Sequence, residues 1–119
     1  MILYIQMKII GNAISLIELK ALAKTRFGNL IKAVVDIEKE IMAIDADLHA
    51  DEEAALLNAG SLQNNLWGIN IYPDIEGPDW IEFDSMINLR PSQKNHTRGI
   101  DDIKVQQKII TIVGNLIQK

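Results

Sequence analysis

The sequence predicts an α+β domain: a mainly antiparallel sheet of four to five strands with about three helices packed on one face. Three observations predict it. Two stretches read as strand pairs around short polar or proline-containing turns. Three others repeat apolar residues at helical spacing behind recognisable caps. With 119 residues, the chain has room for one core of ordinary size and is expected to form one domain over 1–119.

Each element has its own signal. The apolar opening up to Ile10 is interrupted by Gln6 and Lys8, too early for a membrane span, and reads as a first strand. Met7 offers a second start, so residues 1–6 are expected to be an extension. Ser15 and Glu18 have the spacing of a capping box, which starts a helix whose apolar positions are Leu16, Leu19, Leu22, Ala23 and Phe27 and which Gly28 ends. Ala33 to Ile37 and Ile41 to Ile44 flank a polar link of hairpin length. The same residues also place Val34, Ile37, Ile41 and Ile44 on one side of a continuous helix, so periodicity leaves both readings open, and the hairpin is adopted.

Asp51, Glu52 and Glu53 precede Ala54 to Leu57, acids before apolar residues, which suits the positive end of a short second helix closed by Gly60. Leu66 to Tyr72 and Trp80 to Leu89 are the strongest strand signals, joined by a turn with two prolines and a glycine. Strict alternation in the second turns Ile81, Phe83, Ser85, Ile87 and Leu89 one way and Glu82, Asp84, Met86, Asn88 and Arg90 the other. A polar loop after Pro91 leads to Asp101 or Asp102, either of which can cap an apolar third helix from Ile103 to Ile117.

Composition narrows the function classes. Apolar residues at 48% and charged residues at 24% are the balance of a folded, soluble domain. The absence of cysteine removes disulfides and thiolate zinc sites and fits a cytoplasmic setting. A formal charge of −4 argues against a dedicated nucleic-acid binder, leaving RNA as a weak option that rests on Arg90 to Arg98 alone. No membrane association is expected.

Four blocks carry a resemblance: Val34-Val35-Asp36-Ile37-Glu38, Leu48-His49-Ala50-Asp51-Glu52-Glu53, Leu66 to Pro73, and Ile81 to Pro91. In these, and from about Met7 to the C-terminus, the chain resembles an uncharacterised prokaryotic family, domain-of-unknown-function family 5674. The resemblance implies a shared domain and a shared polar site, and no reaction.

Candidate chemistry gathers on the polar side of the last strand. Glu82, Asp84, Asn88 and Arg90 line it, with Asn70 from its hairpin partner and Asp36 from the earlier hairpin. Two carboxylates about 5 Å apart at an effective dielectric near 20 repel by roughly 3 kcal/mol, so such a group calls for a proton, an arginine or a divalent cation such as magnesium. The plain alternative is the solvated outer face of a half-buried sheet. His49, beside Asp51 and Glu53, is the candidate base, with Asp84 as its catalytic companion. A histidine at a helix start more often caps or meets solvent. Arg90, Lys94, His96 and Arg98 form an acid-free run suited to phosphate or carboxylate, or equally to the chain's own carboxylates. The expected function is therefore binding of a small anionic or phosphorylated ligand at Asp36, Asp51, Glu53, Asn70, Glu82, Asn88, Arg90 and Arg98, with metal-assisted catalysis left open. The alternative is a non-enzymatic homodimer joined through an apolar face, a homo-oligomer being expected in either case.

Overall fold

A computed structural model describes residues 7–119, so the expected extension at residues 1–6 lies outside the described residues. The elements run β1 (Lys8–Ile10), β2 (Ile14–Ser15), α1 (Leu16–Arg26), β3 (Ile31–Asp36), β4 (Ile41–Ile44), α2 (His49–Asn58), β5 (Leu66–Ile71), β6 (Ile81–Glu82), α3 (Ile103–Leu116) and β7 (Ile117–Gln118). Strands β1, β4, β3, β5 and β6 form, in that order, one sheet in which every pairing is antiparallel. A two-residue parallel pair, β2 with β7, ties the end of α3 to the start of α1.

Caps and turns behave as their residues dictate. Ser15 Oγ accepts from the Glu18 amide at 3.1 Å, but the Glu18 carboxylate takes Lys8 Nζ at 3.0 Å instead of reaching back to the cap. Gly28 ends α1 with φ +94, a left-handed conformation that costs glycine nothing. Asp102 caps α3, its Oδ1 accepting from Lys104 N at 2.9 Å. Residues 33–44 form the antiparallel hairpin, not the continuous helix, because β3 finds ladder partners on both sides, Val35 facing both Met42 and Trp67.

The sheet is covered on both faces. Ala33, Val35, Met42, Ile44, Ile69 and Ile71 pack under Leu19 and Ala23 of α1 and Ile109, Ile112 and Val113 of α3. Residues of opposite parity, Val34, Ala43 and Leu66, pack with Leu56 of α2. The expectation of three helices on one face is corrected in this respect: α1 and α3 share a face, and α2 lies against β3 and β4 on the other. The reason is readable in Ala33-Val34-Val35, where apolar residues do not alternate with polar ones, so both faces need cover.

A second correction concerns Trp80 to Leu89. Only Ile81 and Glu82 are strand, pairing with Ile71 and Asn70; Met86–Asn88 turn as a 3-10 helix capped by Ser85 Oγ. Alternation ends there, and Ser85 and Asn88, which it turned opposite ways, are both buried while Met86 and Leu89 are exposed. Short polar side chains outcompete the ladder. The Asn88 amide bonds both Gly68 N and Gly68 O, and Ser85 Oγ takes its own turn's amide. The segment folds back over the α2 face, with Ser85 N bonded to Arg98 O at 2.9 Å.

Candidate functional site

β3, β5 and β6 set a polar row across the α2 face of the sheet, because Lys32 pairs in register with Asn70 and Asn70 with Glu82. Asn70 Nδ2 donates to Glu82 Oε1 at 2.9 Å, and the Tyr72 hydroxyl donates to the same oxygen at 3.0 Å. Burial first, and then that acidic hydrogen bond, raise the Tyr72 phenol above its ordinary pKa. Asn70 is buried and its Oδ1 has no donor.

α2 lays His49 onto this row. The helix opens at His49, whose ring is only 8% exposed and whose Nε2 lies 2.7 Å from the Ile69 carbonyl oxygen. A carbonyl only accepts, so Nε2 carries the proton, and in the neutral ring Nδ1 holds a lone pair. Nδ1 makes no hydrogen bond among the described residues. Burial lowers the His49 pKa; Lys32 and Arg98 lower it further, while the Ile69 bond and Asp84 act the other way.

Arg98 and Asp84 complete the group. Arg98 Nε donates to Asp84 Oδ1 at 2.7 Å, both side chains being about half exposed. The terminal nitrogens of Arg98 make no hydrogen bond among the described residues. Lys32 makes no ion pair there either; its ammonium stands 5.4 Å from the centre of the Phe27 ring. Both cations thus act at a distance on the imidazole.

Of the residues singled out in the sequence, His49, Asn70, Glu82, Asp84 and Arg98 come together. Asp36 does not. It lies four strand residues from Lys32, about 13 Å away, where its carboxylate takes Ser61 Oγ at 2.6 Å and the amides of Glu38 and Lys39. Asp51 is exposed on α2, and Glu53 turns toward Arg90, whose charge it stabilises. Asn88 and Arg90 work inside the fold. Arg90 is buried, stacks 4.3 Å over the Trp67 ring and donates to the carbonyls of Gln63 and Leu66, so the acid-free run forms no cradle around it. Burial lowers its guanidinium pKa, and Glu53 partly offsets this.

Sequence reasoning missed Lys32 and Tyr72. The signal for Lys32 was a lone charge inside the apolar run Ile31 to Val35, a position where a strand spends one only on a polar neighbour. It also missed Glu52, read only as one of the acids that suit the positive end of the helix but fully buried, one turn from His49 on the same side of α2. Glu52 Oε2 accepts from Ala46 N at 3.1 Å and Oε1 has no partner; burial raises its pKa well above the usual carboxylate range.

Among the described residues no group of three or more His, Cys, Asp or Glu is arranged to hold a metal ion, so the divalent cation considered from sequence finds no such ligand set there. No helix among them is long and apolar enough to cross a membrane. A family model described as Protein of unknown function (DUF5674) matches residues 8–116. No curated protein and no solved structure matches the chain.

Proposed function

The chain belongs to the DUF5674 family of proteins of unknown function, and from that premise, which supplies no activity, we propose that the domain binds a small anionic ligand where Lys32, His49 and Arg98 meet. One observation carries the reading: Lys32 stands in the ladder opposite Asn70, next to the Ile69 carbonyl that holds His49, and among the described residues it has no carboxylate partner, while Arg98 spends only Nε on Asp84. A guanidinium with two unengaged terminal nitrogens is a planar fork for carboxylate or phosphate oxygens, and the lysine adds a second point charge. Asp84 fixes the arginine in place. Glu82 is occupied by Asn70 and Tyr72 and forms no ion pair with either cation among the described residues.

Calorimetric titration of the full chain with inorganic phosphate and with malonate tests this. Charge-assisted hydrogen bonds are worth about 1.5–3 kcal/mol, so Lys32→Ala and Arg98→Ala are each expected to weaken binding by roughly tenfold or more. Absence of binding at millimolar concentrations of either anion removes the reading.

A second reading, assembly as a homodimer, has its own support in α3. Ile103 and Ile110, two turns apart, are 59% and 45% exposed. Sedimentation velocity at rising concentration decides it, and a strict monomer ends it.

A further inference from the structure

We infer that the ligand carries a hydroxyl or N–H donor beside its anionic group, the anion held by Lys32 and Arg98 and the donor by His49 Nδ1. The inference rests on the anion-binding reading and goes on to name the ligand's chemical class, a hydroxylated or amino-bearing phosphate or carboxylate.

His49 Nε2 is committed to the Ile69 carbonyl at 2.7 Å, which fixes the proton on that nitrogen. Nδ1 is then an acceptor. An anion oxygen there would set lone pair against lone pair, so a bare anion satisfies the two cations and leaves the imidazole unmatched. Converting Nδ1 to a donor would need a second proton on the ring of a residue that is only 8% exposed, against the charges of Lys32 and Arg98. Such a site accepts a hydrogen bond and does not give one.

Among the described residues no group supplies that hydrogen bond. Tyr72 donates its hydroxyl to Glu82, and Asn70 donates its amide to the same carboxylate. Turning the Asn70 amide over would place its oxygen against that carboxylate, so its orientation is set. Asn70 Oδ1 is in consequence a second acceptor without a donor, on the residue next to the carbonyl that holds His49. Asn70 Oδ1 is sealed from contact, so His49 Nδ1, left open beside two underused cations, is the acceptor that asks for a molecule with both an anion and a donor. Sites built around buried polar groups reject analogues that leave those groups unpaired.

The test compares glycerol 3-phosphate, n-propyl phosphate and inorganic phosphate on the full chain by calorimetry. Glycerol 3-phosphate is expected to bind at least about tenfold more tightly than n-propyl phosphate. A parallel measurement follows the nitrogen resonances of His49, which avoids reliance on a variant that fails to fold. The Nδ1 signal should move with glycerol 3-phosphate and stay put with n-propyl phosphate. If both esters bind equally and Nδ1 is silent, the donor inference is overturned while anion binding stands. If none of the three binds, both fall together.

Discussion

Asn88 holds the backbone of Gly68 with both ends of its amide, Oδ1 accepting from Gly68 N at 2.8 Å and Nδ2 donating to Gly68 O at 2.9 Å. One side chain thus takes over where β6 stops, since β6 pairs only with Asn70 and Ile71. The same Nδ2 reaches Arg98 O at 3.0 Å, tying the segment that carries Arg98 to the sheet. Asn88→Ala is expected to leave a buried donor and a buried acceptor of β5 unpaired and to cost about 2–4 kcal/mol. Urea denaturation measures it, and a loss within experimental error would show that water replaces the amide.

Gly68 is glycine for want of space. A Cβ built there falls 2.6 Å from both Cβ and Oγ of Ser85, closer than side chains approach one another. Gly68→Ala is expected to destabilise by about 1–3 kcal/mol through overpacking. Ser85→Gly should recover part of that loss in the double variant, because it removes the atoms that clash. A strictly additive pair would mean that the strain lies elsewhere.

Arg90 is an arginine because its plane is used. It stacks on Trp67 and sends separate N–H groups to Gln63 O, Leu66 O and Gln93 Oε1. Lysine keeps the charge but has neither the plane nor the fork. Arg90→Lys is expected to cost about 2–3 kcal/mol, as buried carbonyls lose their donors, and to quench or shift Trp67 fluorescence. Wild-type stability in that variant would reduce the residue to a charge.

These positions divide what the sequence revealed from what it hid. Helix caps at Ser15 and Asp102 and the stop at Gly28 were legible because each depends on a few adjacent residues. Strands β3, β4 and β5 were legible as apolar runs. The two-sided sheet was written in Ala33-Val34-Val35, but a run of three could be absorbed into a one-sided reading. Asn88 was opaque for a different reason: a buried amide that mimics a strand looks, in sequence, like a polar residue on an outer face. The site was half legible. His49, Asn70, Glu82, Asp84 and Arg98 converge, whereas Arg90 was drawn in by strand parity that the fold does not keep, and Asp36 keeps its face but sits at the far end of β3, bonded to Ser61 and its own turn. Lys32 left one local signal, a lone charge in an apolar run, but the register that sets it opposite Asn70 has none.

Glu52 makes the domain less stable as pH rises. Burial raises its folded pKa well above the unfolded value near 4.3. Between those two values the folded state binds more protons than the unfolded state, so unfolding free energy falls with pH and levels off above the folded value. Arg26, Lys32 and Asp45 are the charges that act on it. Glu52→Gln removes the titration and keeps an acceptor for Ala46 N. Its advantage over wild type should grow from pH 4 upward, measured as the shift in denaturant midpoint. A constant difference across that range would mean that Glu52 titrates alike in the folded and unfolded chain.

His49 tilts the curve the other way. Its folded pKa lies below the unfolded value of about 6.5, chiefly because burial disfavours the charged ring. Below 6.5 the unfolded chain takes up a proton that the folded chain does not, so stability contributed by His49 is complete above that pH and is lost as pH falls through the window. His49→Gln keeps a donor for the Ile69 carbonyl without a titrating ring, and should flatten the acid side of the profile that Glu52→Gln leaves behind. The double variant then isolates the two slopes, which oppose one another wherever their windows overlap. Carbon and nitrogen shifts of the wild-type ring provide the direct check. They are expected to report a neutral Nε2–H imidazole at pH 7 and a midpoint below that of free histidine, and a midpoint above it would mean that the Ile69 bond and Asp84, not burial, govern the ring.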